Sequence, residues 1–153
     1  MKTQATKRGG FTLVEMLVVL IILAVGTALM VGVAEDVRRH SRNETTRNIQ
    51  ATLVRALKTY KSSYGDYPPG DGQSGSGAIL LTCLQGCPRT QADIARLPKQ
   101  AIRYDQTGRQ TIVDGFGREM HYSRFGGLAA KNPLLYSQGH DPADPTDDIT
   151  ESL

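Results

Sequence analysis

Apolar side chains fill residues 16–33 without a single ionisable group, and beyond them the apolar positions recur with the period of a helix. At about 1.5 Å per residue, the first segment is long enough as a helix to span about 30 Å of hydrocarbon. The second segment places its apolar residues on one helical face, namely Ile49, Leu53, Ala56, Leu57, Tyr60 and Tyr64. The pattern predicts one continuous helix, membrane-spanning over residues 11–34 and amphipathic over residues 35–64.

Gly65, followed by the pair Pro68 and Pro69, is predicted to end this helix because proline cannot continue it. Residues 71–77 read DGQSGSG, which is typical of a flexible loop. Residues 79–104 mix short apolar runs with the helix-like QADIARLP and favour no single element.

Extended segments dominate the last third of the chain. RQTIVDGFGREMHYSRF predicts two strands joined by an Asp-Gly-Phe-Gly turn, and PLLYSQG predicts a third strand. Short strands with tight connections favour a small antiparallel sheet that buries its apolar face on the helix. The predicted fold class is therefore α+β, a long N-terminal helix packed on a small antiparallel sheet, with residues 65–153 forming the globular domain.

Charge is unevenly distributed along the 153 residues. The chain has 18 Lys and Arg against 15 Asp and Glu, and this excess equals the three cations Lys2, Lys7 and Arg8 of residues 1–10, which contain no acid. A basic tip before an apolar span stays on the cytoplasmic side, so the globular domain is predicted to be periplasmic, held by a single span. The remaining chain is neutral by this count and gives no support for a nucleic-acid partner.

Glu15 lies close to the start of the apolar segment, where a charged side chain is costly unless it is paired or shallow. If the chain is cut between Gly10 and Phe11, the new α-amine of Phe11, with a reference pKa of about 7.7–8.0, lies one helical turn from Glu15. The carboxylate then has a cation to pair with, on its own chain or on a neighbouring one.

The string GFTLVE followed by an apolar run resembles the prepilin signature of type IV pilins and of the pseudopilins of type II secretion. This resemblance implies a basic leader, residues 1–10, that prepilin peptidase removes by cutting between Gly10 and Phe11. It also implies N-methylation of Phe11, a role for Glu15 in assembly, and a pilin-like fold.

Two other interpretations of this segment remain open. An ordinary secretory signal has a basic start and an apolar core, and VGVAED would offer a cut site, although the apolar run is long for one. A single-span anchor that is never cut is the other alternative. The basic group Arg38, Arg39, Arg42 and Arg47 is interpreted as a solvated helical face, against a site for nucleic acid or lipid headgroups.

Cys83 and Cys87 are the only cysteines of the chain. In an exported domain such a pair is expected to form a disulfide. A zinc site would need two further ligands while the three histidines are scattered, and a redox motif more often has two intervening residues than three.

The C-terminal part resembles, more narrowly, the major pseudopilin of type II secretion. The resemblance rests on two groups of residues: Asp114, Phe116, Gly117 and Tyr122, then Tyr136, Ser137, Gly139, Asp141, Asp148 and Ile149. Phe116 stands where the family has tryptophan, Pro142 where it has glycine, and the cysteine-containing segment does not fit. The resemblance implies a calcium ion held by Asp141 and Asp148, with Ser137 as a further ligand.

The acidic loop GHDPADPTDDIT also favours a cation on physical grounds. Asp141, Asp144, Asp147 and Asp148 fall within eight residues, and crowded carboxylates repel unless a cation gathers them. Calcium accepts six to eight oxygen ligands in irregular geometry, so Asp144 and Asp147 are additional candidate ligands. The alternative is a solvated turn rich in aspartate and proline.

Three function classes follow. The leading hypothesis is a structural subunit of a periplasmic pseudopilus, whose partners are other copies of itself, prepilin peptidase, the inner-membrane assembly platform and minor pseudopilins. A type IV pilus subunit for adhesion or DNA uptake, or a minor subunit, is the alternative. An anchored enzyme is disfavoured because the sequence has no G-x-S-x-G, H-E-x-x-H or phosphate-loop motif.

Overall fold

The computed structural model describes residues 12–126 and 132–153, without the side chains of residues 29–33. Its helices are α1 Leu13–Tyr64, α2 Ser76–Gly86 and α3 Gln91–Ile94. Its strands are β1 Ile102–Tyr104, β2 Gln110–Ile112, β3 His121–Ser123, β4 Leu134–Ser137 and β5 Ile149–Ser152. Internal contacts divide the chain into two units, residues 1–38 and residues 39–153, and each is considered by itself.

The described part of the first unit is the N-terminal portion of α1. Its large apolar side chains face solvent, with Leu13 82% and Leu20 65% exposed. Within the described ranges, no helix combines the length and the hydropathy needed to cross a membrane. The start predicted at Phe11 lies outside the described residues.

The second unit packs the rest of α1 on two small antiparallel sheets, which confirms the predicted α+β class. Ile49, Leu53, Ala56 and Leu57 are buried, as their helical spacing predicts. The core also contains Leu80, Leu81, Leu84, Ile112, Met120, Tyr122 and Leu135. The prediction that Tyr64 shares this buried face is wrong, since Tyr64 is 58% exposed. Its ring lies 4.6 Å, centre to centre, from the ring of Tyr60 in the last turn of the helix.

Helix α1 ends where the sequence predicts. Gly65 takes a positive φ of 82°, and its N–H donates to the carbonyl of Lys61 at 2.7 Å, which satisfies one terminal carbonyl. The loop predicted for residues 71–77 is shorter than expected because α2 already begins at Ser76. A side chain at Gly77 would place its Cβ 2.5 Å from the carbonyl oxygen of Met120, so the glycine serves close packing here.

The sheets differ from the predicted hairpin. Strand β2 pairs with β1, whereas β3 pairs with β4 and β4 with β5, all antiparallel. The two predicted strands around the Asp-Gly-Phe-Gly turn therefore belong to different sheets. The bridge Val113 to Glu119 still joins them next to the turn, with the N–H of Met120 donating to the carbonyl of Ile112 at 2.9 Å. Strand β4 is where the sequence places it, and Gln50 ties α1 to β5 by donating to the carbonyl of Ile149 at 2.7 Å.

Candidate functional site

The start of α1 carries the first candidate site. Gly10 and Phe11, between which the cut is predicted, lie outside the described residues. The hydroxyl oxygen of Thr12 accepts the backbone N–H of Glu15 at 3.3 Å, and its carbonyl accepts that of Met16 at 3.2 Å. Thr12 is thus the N-cap of the helix, and it fixes Glu15 in the first turn.

Glu15 itself is exposed, and its neighbours Leu13, Val14 and Met16 are exposed apolar side chains. Among the described residues its carboxylate forms no ion pair. A carboxylate in the first turn is favourable beside the unsatisfied N–H groups of the helix N-terminus. The arrangement leaves this carboxylate available to accept a hydrogen bond from an amine that lies outside the described residues.

Two turns of the second unit have the same hydrogen bonds. Asp105 and Asp114 each accept, through Oδ1, the backbone N–H groups two and four residues later, at 2.8 and 2.9 Å. The glycine three residues after each aspartate, Gly108 or Gly117, has a positive φ. The hydrogen bond from the hydroxyl of Thr107 is the main cause that lowers the pKa of Asp105, to about 2, and the hydrogen bond from the N–H of Arg109 adds to it.

Asp114 differs from Asp105 in being buried, at 4% exposure. Its second oxygen, Oδ2, accepts the hydroxyl of Ser137 at the end of β4. The same Ser137 oxygen accepts the N–H of Gly139 at 3.2 Å. Ser137 was predicted as a calcium ligand, but its hydroxyl joins the turn at Asp114 to the start of the acidic loop.

The acidic loop is organised around Asp147. Its Oδ2 accepts the backbone N–H groups of His140 and Asp141, both at 2.8 Å, which folds the carboxylate back across the loop. Its Oδ1 is buried without a hydrogen-bond partner among the described residues. Gly139 has a φ of 58° and a Cβ there would lie 2.6 Å from this Oδ1, so the glycine makes room for it.

The other acids of this loop have separate surroundings. Asp141 accepts the N–H of Ala143 at 3.0 Å, and Asp144 caps the short turn Pro145–Asp147 by accepting the N–H of Thr146 at 2.9 Å. The hydroxyl of Thr146 contributes most to lowering the pKa of Asp144, followed by its N–H. Asp148 is exposed, and its charge adds to burial in raising the pKa of Tyr136.

One atom of the acidic loop, Oδ1 of Asp147, is suited to contact a cation. In the described part of the chain, no three side chains of His, Cys, Asp or Glu are grouped closely enough to hold a metal. A buried carboxylate oxygen without a partner, such as Oδ1 of Asp147, is nevertheless the atom that a cation would stabilise. The sequence placed Asp147 among the secondary ligands, and only the fold of the loop shows its inward position.

Cys83 and Cys87 are both free thiols in the structure. Cys83 lies in the last turn of α2 and is half-buried, whereas Cys87 follows the helix and is 1% exposed. The predicted disulfide between them stays a prediction.

The sequence also matches a protein-family model, the prokaryotic N-terminal methylation motif, over residues 5–31. This match contains Gly10, Phe11 and Glu15, and it shows that the chain carries a type IV pilin-type prepilin signal, the mark of a prepilin peptidase substrate. The family defined by this motif is structural. Neither the curated proteins nor the solved structures include a significant match to this chain.

Proposed function

We propose that this chain is a structural subunit of a periplasmic filament, the pseudopilus of type II secretion, and that it is its major pseudopilin. The observation that carries the proposal is the methylation motif over residues 5–31, with Glu15 in the first turn of a 52-residue helix. In this proposal the chain is anchored in the inner membrane, cut between Gly10 and Phe11, methylated on Phe11, and assembled through α1. Exported cargo is moved by growth of the filament.

The exposed apolar side chains of α1 support assembly by helix contact. A helix with this surface is stable in lipid or against other such helices, and it leaves the bilayer only if neighbouring subunits replace the lipid. Repeating one head-to-tail contact between identical chains produces an open helical array. Partners in this proposal are other copies of the chain, prepilin peptidase, the assembly platform and minor pseudopilins.

The choice of a secretion pseudopilus rests on the C-terminal pattern around Asp114, Tyr122 and Ser137, which resembles the major pseudopilin. An adhesive or DNA-uptake pilus, or a minor subunit, would share the N-terminal motif without this pattern. Quantitative mass spectrometry of assembled filaments separates the two roles. A major subunit is expected to outnumber every other subunit, and a chain found only in traces would contradict this part of the proposal.

The mature protein is expected to begin at Phe11 and to carry one added methyl group on its N-terminus. The test is the intact mass and N-terminal sequence of the chain recovered from membranes of a host that contains prepilin peptidase. A host lacking the peptidase is the control, and there the chain should begin at Met1. Recovery of Met1 in both hosts would refute processing, and a start near residue 35 would identify an ordinary secretory signal.

We also propose that the acidic loop binds calcium, with Oδ1 of Asp147 as the first ligand and Asp141 and Asp148 as further carboxylates on the same loop. The support is the buried, unpartnered Oδ1 described above. Calcium would supply positive charge to a loop that has four aspartates and no lysine or arginine between residues 141 and 148.

Calcium is expected to raise the melting temperature of the full chain in detergent micelles by about 5–10 °C at a hundredfold excess over its Kd. Asp147→Asn should lose this shift, because the amide oxygen still accepts the two backbone N–H groups while the second carboxylate oxygen is gone. Asp144→Asn is the matched control and should keep it, since asparagine also caps a turn. An equal shift in all three proteins would refute the role of Asp147, and no shift in the wild type would refute the site.

A further inference from the structure

The two cysteines at the end of α2 differ in access and surroundings. Cys83 is in the last helical turn, and Cys87 leaves the helix with an extended backbone, φ −96° and ψ 115°. The N–H of Cys87 donates to the carbonyl of Leu84 at 3.2 Å, which tightens the final turn. Burial is the main cause that raises the pKa of Tyr60 on α1, and the two thiols add to it.

Cys83 lines a small cleft. The cleft has a volume of about 180 Å3 and is bounded by Ala78, Ile79, Thr82 and Arg109, with a mostly apolar wall. Burial raises the pKa of the Cys83 thiol, so a smaller fraction of it is thiolate at neutral pH. The cleft nevertheless gives a small molecule a route to this sulfur.

Cys87 has the opposite character. Burial would by itself raise the pKa of the Cys87 thiol, whereas the nearby backbone N–H groups of Arg89 and Thr90 help to lower this pKa below its ordinary value. The hydroxyl of Thr90 donates to the carbonyls of Leu84 and Cys87. At 1% exposure, Cys87 is a thiol that solvent and dissolved reagents hardly reach. Such a sulfur reacts with a neighbouring group more readily than with a bulky reagent.

We propose that Cys83 and Cys87 form a two-step thiol–disulfide exchange site, in which Cys83 reacts with a small-molecule disulfide in the cleft and Cys87 then closes an intramolecular bridge. The oxidant is an aliphatic disulfide, RSSR, whose S–S bond reaches Cys83 at the cleft. The site does not depend on the filament function, because every residue in it belongs to the second unit.

The chemistry balances in two steps. Cys83 loses its proton to water, its sulfur attacks RSSR, the S–S bond of RSSR breaks, and RS⁻ leaves while a mixed disulfide remains on Cys83. The thiolate of Cys87 then attacks Sγ of Cys83 and displaces the second RS⁻. The two thiols of the chain are oxidised by two electrons in total, and RSSR is reduced to two RSH after protonation.

Local geometry allows the bridge to close. Residues four apart on a helix have Cβ atoms about 5–6 Å apart, whereas a disulfide needs a Cβ–Cβ distance of about 3.8 Å. The Cβ atoms of Cys83 and Cys87 therefore have to approach each other by about 1–2 Å when the bridge closes. The residue between the helix body and Cys87 is Gly86, and a Cβ there would meet nothing within 4 Å. Glycine leaves the backbone just before Cys87 conformationally permissive, so the turn can adjust at this residue.

The test uses the reduced full chain in detergent micelles with dithiobis(nitrobenzoate), a chromogenic aromatic disulfide. Wild type is expected to release two equivalents of thionitrobenzoate and to retain no adduct, with an intact mass lower by two hydrogens. Cys87→Ser should release one equivalent and keep the adduct on Cys83. Cys83→Ser should react at least about tenfold more slowly than wild type, because its remaining thiol is buried.

Glutathione disulfide is then used as the aliphatic probe, with the intact mass as the readout. A persistent adduct on the wild type would overturn the resolving role of Cys87. A Cys83→Ser protein that melts at the wild-type temperature and reacts as fast as wild type would overturn the entry role of Cys83.

If a serine variant fails to fold, brief alkylation of the wild type with iodoacetamide and peptide mapping answers the same question. Label on Cys83 first supports the proposal, and label on Cys87 first refutes it.

Discussion

Glu15→Ala is expected to abolish filament assembly while the chain stays membrane-bound and is still cut after Gly10. Thr12 holds the backbone of Glu15 in the first turn and leaves its carboxylate exposed, ready to pair with the α-amine of a neighbouring Phe11. Away from bulk water this ion pair is worth more than about 1.4 kcal/mol, so its loss should reduce assembly by at least about tenfold at each contact. The measurement is the amount of chain in sheared filaments relative to the amount in membranes.

Two variants make the Glu15 experiment specific. Glu15→Gln keeps the size and hydrogen-bonding capacity of the side chain but removes its charge, so it should also fail if the ion pair is what matters. Glu35→Gln removes an exposed carboxylate farther along the same helix and should assemble normally. Normal filaments from Glu15→Ala would refute the role of Glu15, and loss of cutting would instead point to a defect before assembly.

The long helix was predictable because its signals are local. Ile49, Leu53 and Leu57 recur at helical spacing over many turns, and Gly65 supplies the left-handed conformation that ends the helix. The N-terminal motif was equally readable, since its residues lie within a short stretch of chain. These features need no knowledge of what the rest of the chain does.

The short strands were less predictable. Strands β1 and β5 have three and four residues, and neither alternates clearly between buried and exposed positions. Their stability comes from pairing with β2 and β4, and the residue pattern within each short strand does not encode that pairing. The Asp-Gly-Phe-Gly turn was identified correctly as a turn, but its flanking strands belong to two sheets because β2 pairs with β1 and β3 pairs with β4.

The candidate cation loop shows the same limit. Sequence gives the number of carboxylates, and the resemblance selects Asp141 and Asp148, yet Asp147 is the one folded inward. Its direction is set by the short turn Pro145–Asp147 and by the space that Gly139 leaves. Side-chain direction in a loop depends on such tertiary contacts, which composition does not encode.

Asp114→Ala is expected to destabilise the second unit by about 3–5 kcal/mol and to lower the melting temperature by about 10 °C. The substitution removes the acceptor for the N–H groups of Phe116 and Arg118 and for the hydroxyl of Ser137. At 4% exposure little water can replace those bonds. Thermal unfolding of the full chain in detergent micelles, followed by circular dichroism, measures the change.

Asp105→Ala is the matched control for Asp114→Ala, because the two aspartates make the same pair of turn hydrogen bonds. Asp105 lies in an exposed turn, where water can satisfy the freed N–H groups, so its shift should be clearly smaller. Ser137→Ala keeps the turn hydrogen bonds of Asp114 but removes the donor to its Oδ2 and the acceptor for the N–H of Gly139, so it should cost about 1–3 kcal/mol. If Asp105→Ala and Asp114→Ala lower the melting temperature equally, burial contributes nothing and the turn alone explains both. A larger loss for Asp114→Ala would instead show that burial increases the contribution of these hydrogen bonds to stability.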